Sequence, residues 1–172
     1  LMRGAGSLKR SDISAKLDEL KTQMEVGGGG QTVTVRFDTL RKNLPDVLKL
    51  VHAVLRQPTF DPQEFELVVQ ESTTVLESQR TEPNALGSQA MALALDVYPK
   101  GDVRAARSLE ESIAALKAAK LAQVKQFHSS LYGASNSEFA LVGDFDSDTI
   151  KAQLTQLFGD WKSQKTYTRL KA

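Results

Sequence analysis

Two histidines, His52 and His128, are the side chains best suited by type to bind a metal or to act as a general base. A hydrolytic zinc site needs three protein ligands, and ligands carried by one helix recur within a few residues of each other. His52 and His128 lie far apart, and neither has a second histidine at helical spacing. Each follows an apolar residue, Val51 or Phe127, as histidines at the boundary of a core do. The pattern predicts no metal-binding or catalytic histidine.

The other polar motifs do not predict a ligand site either. The glycine run 27–30 lacks the Lys-Ser/Thr ending of a phosphate loop, so it indicates a bend near a sheet edge, with close approach of a peptide backbone as the alternative. Asp144 and Asp146 lack the oxygen ladder of a calcium loop and indicate a corner and a helix cap. Arg104 and Arg107, beside a glycine-containing turn, are expected to be solvated, with carboxylates of a partner domain as the alternative.

Length, charge and composition exclude several classes of protein. The chain has 172 residues, the size of one domain, and 41% of them are hydrophobic, which is enough for one packed core. The net charge of +1 shows no basic excess, so no nucleic-acid partner is predicted. No apolar run approaches the roughly 18 residues of a membrane span. The absence of cysteine removes disulfides, thiolate metal sites and cysteine nucleophiles.

Apolar periodicity predicts the elements of the first third of the chain. A helix capped by Ser11 carries four apolar residues at helical spacing, Ile13, Leu17, Leu20 and Met24. The glycine run 27–30 is expected to end that helix. Residues 32–38 then alternate between polar and apolar side chains, which predicts a half-buried strand in an antiparallel sheet.

The remaining two thirds of the chain are predicted to be mostly helical. Helices are expected over 44–55, over 61–80 and over 83–97, with Pro58 separating the first two. Ser108 and Glu111 have the spacing of a capping box.

Two further helices and one strand complete the prediction. The capping box opens a short helix, which is followed by a longer one over 121–131. A brief strand is predicted over 139–142, then a turn, and a last helix that starts at Ser147 or Asp148.

This order of elements predicts an α+β fold, in which helices cover one face of an antiparallel sheet. Two clear strands are too few for a stable sheet. Further strands are therefore expected either in a weakly signalled stretch such as 24–26 or upstream of Leu1. We expect a single domain over residues 1–172, as a fragment of a larger multi-domain protein.

Several short motifs follow one another in a fixed order. In the first half these are an Arg-Gly lead-in at 3–4, N-L-P-D-V-L at 43–48, P-T-F at 58–60 and R-T-E-P at 80–83. In the second half they are E-E-S-I at 110–113, F-H at 127–128, V-G-D-F-D at 142–146 and F-G-D-W at 158–161. This series, which covers nearly the whole chain, resembles the insulinase/pitrilysin family of zinc metallopeptidases. The last two motifs are its most specific part.

The resemblance implies an inactive peptidase domain. Only one domain of such proteins carries zinc, bound by an H-x-x-E-H helix that precedes an Arg-Gly lead-in and by a distal Glu. No H-x-x-E-H occurs in this chain. Glu71 and Glu77 lie on the helix of the distal ligand, but the register to Pro83 places Val75 or Leu76 at its position. Neither side chain can bind zinc, so both acids are expected to be surface charges.

The expected function follows from that resemblance. The chain is predicted to hold no catalytic, cofactor-binding or metal-binding residue, and zinc is expected in the catalytic domain of the parent protein. Its predicted role is structural, as part of the substrate chamber. The expected partners are other domains of the same polypeptide or a homologous subunit, and the peptide substrate of the parent.

Two alternative functions stay open. One is an inactive processing-peptidase-like subunit or a protein-binding module. The other is a catalytic domain whose H-x-x-E-H helix lies outside this chain. The expected compartment is the periplasm or the secreted space, and the cytoplasm is also compatible with the sequence.

Overall fold

The computed structural model describes residues 1–29 and 31–170. Gly30, the last residue of the glycine run, lies outside the described residues. The chain divides into two compact units, which we call unit 1 (Leu1–Asp61 with Val124–Ala172) and unit 2 (Pro62–Gln123). The expectation of one domain over residues 1–172 stays a prediction. In the described part of the chain, no helix is long and apolar enough to cross a membrane.

Unit 1 contains two small antiparallel sheets instead of the single sheet that was expected. Strands β1 (Gly4–Ala5) and β2 (Leu8–Lys9) form one of them, and β3 (Gln23–Gly29) and β4 (Thr32–Asp38) form the other. The predicted strand over 32–38 is confirmed, and the weak signal at 24–26 does belong to a strand. Mixed helices and antiparallel strands confirm the predicted α+β class.

The first helix is shorter than predicted. Helix α1 spans Arg10–Glu19, and the chain leaves it through Lys21, which has a φ of 48°. The amide of Thr22 donates to the Leu17 carbonyl (2.9 Å), as at a helix end with a left-handed residue after the cap. The predictions that Met24 belongs to this helix and that the glycines end it are therefore wrong.

The predicted cap of α1 at Ser11 is also wrong. The N-cap is Lys9, and its backbone amide donates to Asp12 Oδ2 over 2.8 Å. The carboxylate of Asp12, three residues on, therefore satisfies an amide at the helix start, which leaves Ser11 inside the first turn.

Helix α2 (Leu44–Arg56) supplies most of the core of unit 1. Six of its residues are buried: Leu44, Val47, Leu48, Leu50, Val51 and Val54. Residues of β3 and β4 pack on one side of this set, and Ile150 of helix α7 (Ser147–Phe158) packs on Leu44 and Leu48. Each fully buried Leu, Ile or Val contributes about 1.5–3 kcal/mol, which makes α2 the main stabilising element of the unit. Helix α6 (Leu121–Leu131) continues from unit 2 into unit 1.

The strand predicted over 139–142 is not formed. Among the described residues, no strand pairs with this segment, although Phe139 lies beside Phe37 of β4 with ring centroids 6.4 Å apart. Alternating side chains are not sufficient for a strand, because a strand also needs a neighbour to complete its hydrogen-bond ladder.

Unit 2 is formed by three helices, α3 (Pro62–Ser78), α4 (Pro83–Ala94) and α5 (Leu109–Ala118). The predicted capping box is confirmed, since the amide of Glu111 donates to Ser108 Oγ (3.1 Å) and that of Ser108 to Glu111 Oε2 (3.0 Å). Helix α4 ends at Ala94 and does not reach Val97 as predicted. The Asp96 carboxylate accepts bonds from the amides of Tyr98 and Ala106, and it thereby fixes a turn there.

Candidate functional site

An open groove between α3 and α5 in unit 2 brings together several positions singled out in the sequence. Its volume is about 760 Å³. The residues that determine its chemistry are Glu71, Val75 and Leu76 from α3, Arg107 from the preceding loop, and Ser112 and Leu116 from α5. Glu71, the Val75/Leu76 position of the expected distal ligand, and Arg107 therefore share one surface, although Arg107 is 31 residues or more from the others in sequence.

The two helices expose matching faces to this groove because of their residue spacing. On α3 the lining residues Ser72 and Leu76 lie one turn apart. On α5 Ser112 and Leu116 do the same, and Ala119, the residue that ends the helix, follows them. Small side chains on α5 leave the groove open between the two helices, and larger side chains at the same positions would fill the groove.

Two ion pairs connect α3 and its C-terminal turn to α5 beside the groove. Lys117 Nζ lies 2.9 Å from Glu77 Oε1, and Arg80 pairs with Glu110 over 2.7 Å. The hydrogen bond from Lys117 lowers the pKa of the Glu77 carboxyl. Glu77 is thus directed at α5 and does not line the groove. Both pairs are exposed, so they set the spacing of the helices more than they stabilise the unit.

The groove has the chemistry of a binding surface. Val75 is 58% exposed and presents an apolar side chain, with the Glu71 carboxylate and the Arg107 guanidinium beside it. Such a mixture suits the binding of a peptide, because binding pockets combine an apolar lining with a few polar groups that fix the orientation of the ligand. Within the residues that the structure describes, no group of three or more His, Asp or Glu side chains could hold a metal ion. The residues of the groove therefore do not fit the zinc site of an active relative.

His52 lies in unit 1 beside the core. Its ring packs edge-on against Phe158 with centroids 5.7 Å apart. Partial burial lowers the pKa of His52, Arg56 lowers it further, and Asp160 acts in the opposite direction. The ring serves as a packing group, and within the described part of the chain it belongs to no group of three possible metal ligands.

His128 occupies an aromatic cluster of unit 1. Its Nε2 donates to the carbonyl of Leu55 over 2.7 Å, which requires a proton on that nitrogen because a carbonyl only accepts. Phe60 and Tyr132 pack against the ring at 5.3 and 4.6 Å. Burial raises the pKa of the Tyr132 hydroxyl. His128 therefore attaches α6 to the end of α2.

The V-G-D-F-D motif is a structural corner. Asp146 caps α7 by accepting the Thr149 amide over 2.8 Å, and Asp144 forms an ion pair with Arg41. Phe145 packs on the core cluster around Leu48. These contacts agree with the predicted corner and cap, and they leave no oxygen ladder for a cation.

The F-G-D-W motif attaches the end of α7 to α2. Arg56 donates to Asp160 Oδ1 (2.6 Å) and to the Leu157 carbonyl (2.8 Å), and its guanidinium lies 5.8 Å from the Trp161 ring centroid. The hydrogen bond from Arg56 holds the pKa of the Asp160 carboxyl below its usual range.

The Arg-Gly lead-in and the P-T-F motif contact each other. The amide of Thr59 donates to the Gly4 carbonyl (3.1 Å), and Ala5 forms a bridge with Pro58. Gly4 has a φ of 150°, and a Cβ added there would collide with the Thr59 side chain, so only glycine fits. The two motifs, which are more than 50 residues apart in sequence, thus pack against each other in the fold.

Arg104 is engaged within its own turn. Its guanidinium pairs with Asp102 over 2.7 Å and lies 4.3 Å from the Tyr98 ring centroid. The hydrogen bond from Arg104 lowers the pKa of Asp102 to about 2. This position is a local corner, whereas Arg107 lines the groove.

Comparison with known proteins identifies related sequences and structures. Residues 118–171 match a family model described as the peptidase M16 inactive domain. None of the curated proteins matches the chain.

Two solved structures share the fold. A peptidase M16 inactive domain from Pseudomonas fluorescens has a TM-score of 0.80 and 22% identity, over 99% of this chain and 41% of that chain. A protease from Helicobacter pylori has a TM-score of 0.76 and 18% identity, over 97% of this chain and 40% of that chain. The chain spans about two-fifths of the length of each of these solved chains.

Proposed function

We propose that this chain is an insulinase-like inactive peptidase domain and that it forms part of the wall of a substrate chamber in a larger zinc metallopeptidase. The match of residues 118–171 to the inactive-domain family model and the fold shared with two solved structures support this proposal. In this role the domain contributes binding surface and no catalytic group. It would pack against other domains of the same polypeptide, and zinc would be held by a catalytic domain elsewhere in the parent. The periplasm or the secreted space is the proposed compartment.

The observation that supports this proposal is the groove between α3 and α5. An apolar surface occupies the position at which an active relative is expected to carry its distal ligand, with Val75 and Leu76 beside Glu71 and Arg107. Side chains of a passing peptide can enter such a groove, and its polar residues can hold the peptide without activating water.

The first test separates binding from catalysis. The 172-residue chain is incubated with zinc and desalted, and its metal content and its hydrolysis of quenched fluorescent peptides are measured. We expect less than about 0.1 zinc per chain and no metal-dependent cleavage, because no three possible ligands converge among the residues that the structure describes. Stoichiometric zinc together with cleavage would overturn the proposal and favour the hypothesis of a catalytic domain.

A second test examines the groove itself. Binding of apolar peptides of 8–12 residues is followed by chemical-shift changes of the ¹⁵N-labelled chain. Val75→Glu places a charge in the groove and is expected to weaken binding at least about fivefold. Leu67→Glu is the matched control, since Leu67 is also an exposed apolar residue of α3 but does not line the groove. If both changes weakened binding equally, the groove would not be the peptide-binding surface.

An inactive subunit or binding module is the second candidate function. It is favoured by apolar side chains in and after α4 that stay exposed, Met91 at 64%, Leu95 at 66% and Val97 at 84%. The reading frame distinguishes the two. A single long frame with H-x-x-E-H supports the chamber wall, and a short frame without it supports the inactive subunit.

A further inference from the structure

Arg107 is an exposed cation of the groove between α3 and α5, and it pairs with no described residue. The charged side chains of α5 and of the loop 100–106 are engaged in four ion pairs, Lys117–Glu77, Arg80–Glu110, Lys100–Glu111 and Arg104–Asp102. The Glu71 carboxylate, which lines the same groove, also has an interaction of its own. Within the part of the chain that the structure describes, the N–H donors of the Arg107 guanidinium are therefore available to a ligand.

The rest of the groove offers mainly apolar side chains, with Val75, Leu76 and Leu116 among them. Apolar surroundings exclude part of the water that screens a charge, so an ion pair formed there is stronger than one on an open surface. A planar guanidinium also presents two parallel donors to a carboxylate, which gives the pair a fixed geometry. The groove therefore favours a ligand that carries an anionic group and an apolar group.

A single negative charge matches this groove better than a double one. A phosphate group carries about −1.5 to −2 charges and is usually bound by a cluster of arginines. Here one guanidinium is available, and the Glu71 carboxylate in the same groove would repel a dianion. Because the groove is open, a peptide can pass along it. We therefore expect the carboxylate to belong to an Asp or Glu side chain within a peptide.

The length of α5 sets the distance between the two parts of such a ligand. Arg107 directly precedes the N-cap residue Ser108, whereas Leu116 lies in the last turn of the helix. At a rise of 1.5 Å per residue, Ser108 and Leu116 are about 12 Å apart along the helix axis. An extended peptide covers about 12 Å in three or four residues.

We propose that Arg107 determines the specificity of the groove by binding an Asp or Glu side chain of an extended peptide, three or four positions from an apolar residue that packs on Leu116. This inference rests on the proposed function, which places a peptide in the groove. It adds a substrate class to that function, namely internal peptide segments that combine an acidic and an apolar residue. Arg107 acts here in binding and takes no part in bond cleavage.

A set of peptides with blocked termini tests this selectivity. The first carries Glu four positions on either side of a central Leu, so that it fits the groove in both directions, and Gly and Ser fill the other positions. In three further peptides Glu is replaced by Gln, replaced by phosphoserine, or moved next to Leu. Binding to the ¹⁵N-labelled 172-residue chain is followed by chemical-shift changes. We expect the first peptide to bind at least about threefold more tightly than each of the others.

Variants at position 107 assign the preference to its guanidinium. Arg107→Gln should remove the preference for Glu over Gln, and Arg107→Glu should shift it to a peptide with Lys in place of Glu. Lys120→Gln is the matched control, since it removes another exposed positive charge of unit 2 that does not line the groove, and it should keep the preference. Because Arg107 and Lys120 are both exposed, none of these changes should shift the unfolding temperature.

Several results would overturn the role of Arg107 while peptides still bind and the proposed function stands. These are equal affinity for the Glu and Gln peptides, equal affinity for both positions of Glu, and a preference that survives Arg107→Gln or is also lost in Lys120→Gln. Tighter binding of the phosphoserine peptide, or of a Leu peptide with a free C-terminal carboxylate, would also overturn it, because the anion would then come from another source.

Two further results separate this inference from the proposed function. If no peptide of the set binds the chain, both the role of Arg107 and the use of the groove in the proposed function are rejected. If the peptides bind this chain but not the longer parent protein, a carboxylate of a neighbouring domain occupies Arg107 there, and the inference is overturned.

Discussion

At the scale of single residues, the motifs that carry the family resemblance act as joints of unit 1. Gly4 is held against Thr59, Asp146 caps α7, and Asp160 pairs with Arg56. Among the described residues, neither Asp146 nor Asp160 belongs to a group of three or more possible metal ligands. These motifs therefore serve to maintain the fold of unit 1.

The pair between Arg56 and Asp160 predicts a dependence of stability on pH. The folded pKa of Asp160 is lowered, so its contribution is complete above the ordinary pKa of about 4 and is lost as the pH falls through the folded value. Asp160→Asn should lower the unfolding temperature at pH 7 by about 1–3 °C and leave it unchanged at the lowest pH.

Thermal unfolding followed by circular dichroism from pH 7 to pH 2 measures this difference. Glu66→Gln, which also removes an exposed carboxylate, is the control and should show no such convergence. A constant difference between Asp160→Asn and the parent chain across the whole range would show that the ion pair does not contribute.

At the scale of elements, the segment after α7 packs closely against the end of α6. The amide of Ala134 donates to the Trp161 carbonyl (2.7 Å), and that of Lys165 to the Ser130 carbonyl (3.0 Å). A Cβ on Gly133 would lie 2.8 Å from the Lys162 carbonyl carbon. The absence of a side chain at Gly133 is what allows this approach.

Two glycine substitutions should therefore act in opposite directions. Gly133→Ala should destabilise the chain by about 1–3 kcal/mol, because backbone atoms must move apart. Gly87→Ala in α4 meets no atom within 4 Å and should be neutral or stabilise by about 0.5–1 kcal/mol. Urea unfolding measures both, and destabilisation of equal size would contradict the packing argument.

The elements that were predicted correctly are those that local sequence determines. The capping box of Ser108 and Glu111 needs only neighbouring residues, and the stripe of α2 follows its own period. The end of α1 depends on the left-handed conformation of Lys21. A lysine in the sequence does not predict that conformation. The segment 139–142 lacks a strand because pairing is not a local property.

The candidate site was predictable only in part. Val75 and Leu76 were singled out on α3, and the structure places them with Glu71 in the groove. Arg107 was placed beside a glycine-containing turn and expected to be solvated, and Ser112 and Leu116 of α5 were not considered as lining residues. Their spacing of one turn was the available signal, but the pairing of α5 with α3 could not be read from it.

At the scale of the whole molecule, the two units differ in their cores. Unit 2 contributes two of the buried apolar residues, Leu109 and Ile113, and the described residues of α3 and α4 contribute none. Unit 1 contains the other buried apolar side chains, with α2 at their centre. Helices with no fully buried side chain gain less stability from apolar packing than a helix such as α2 does.

This contrast predicts the order in which the units open. In native-state hydrogen exchange, amides of α4 should exchange with a free energy at least about 2 kcal/mol lower than those of α2. Mass spectrometry of peptides covering 83–94 and 47–54 gives the comparison. Equal protection of both helices would show that unit 2 is stabilised by interactions other than apolar burial.

The ion pair between Arg56 and Asp160 joins residues 104 positions apart, with the whole of unit 2 between them. During synthesis at about 5–20 residues per second, α2 leaves the ribosome roughly 5–20 s before α7 exists. For that interval the apolar face of α2 has no helix α7 to pack on. The order of elements along the chain thus leaves an apolar face of α2 exposed during synthesis, and slower translation of residues 62–123 would lengthen that exposure.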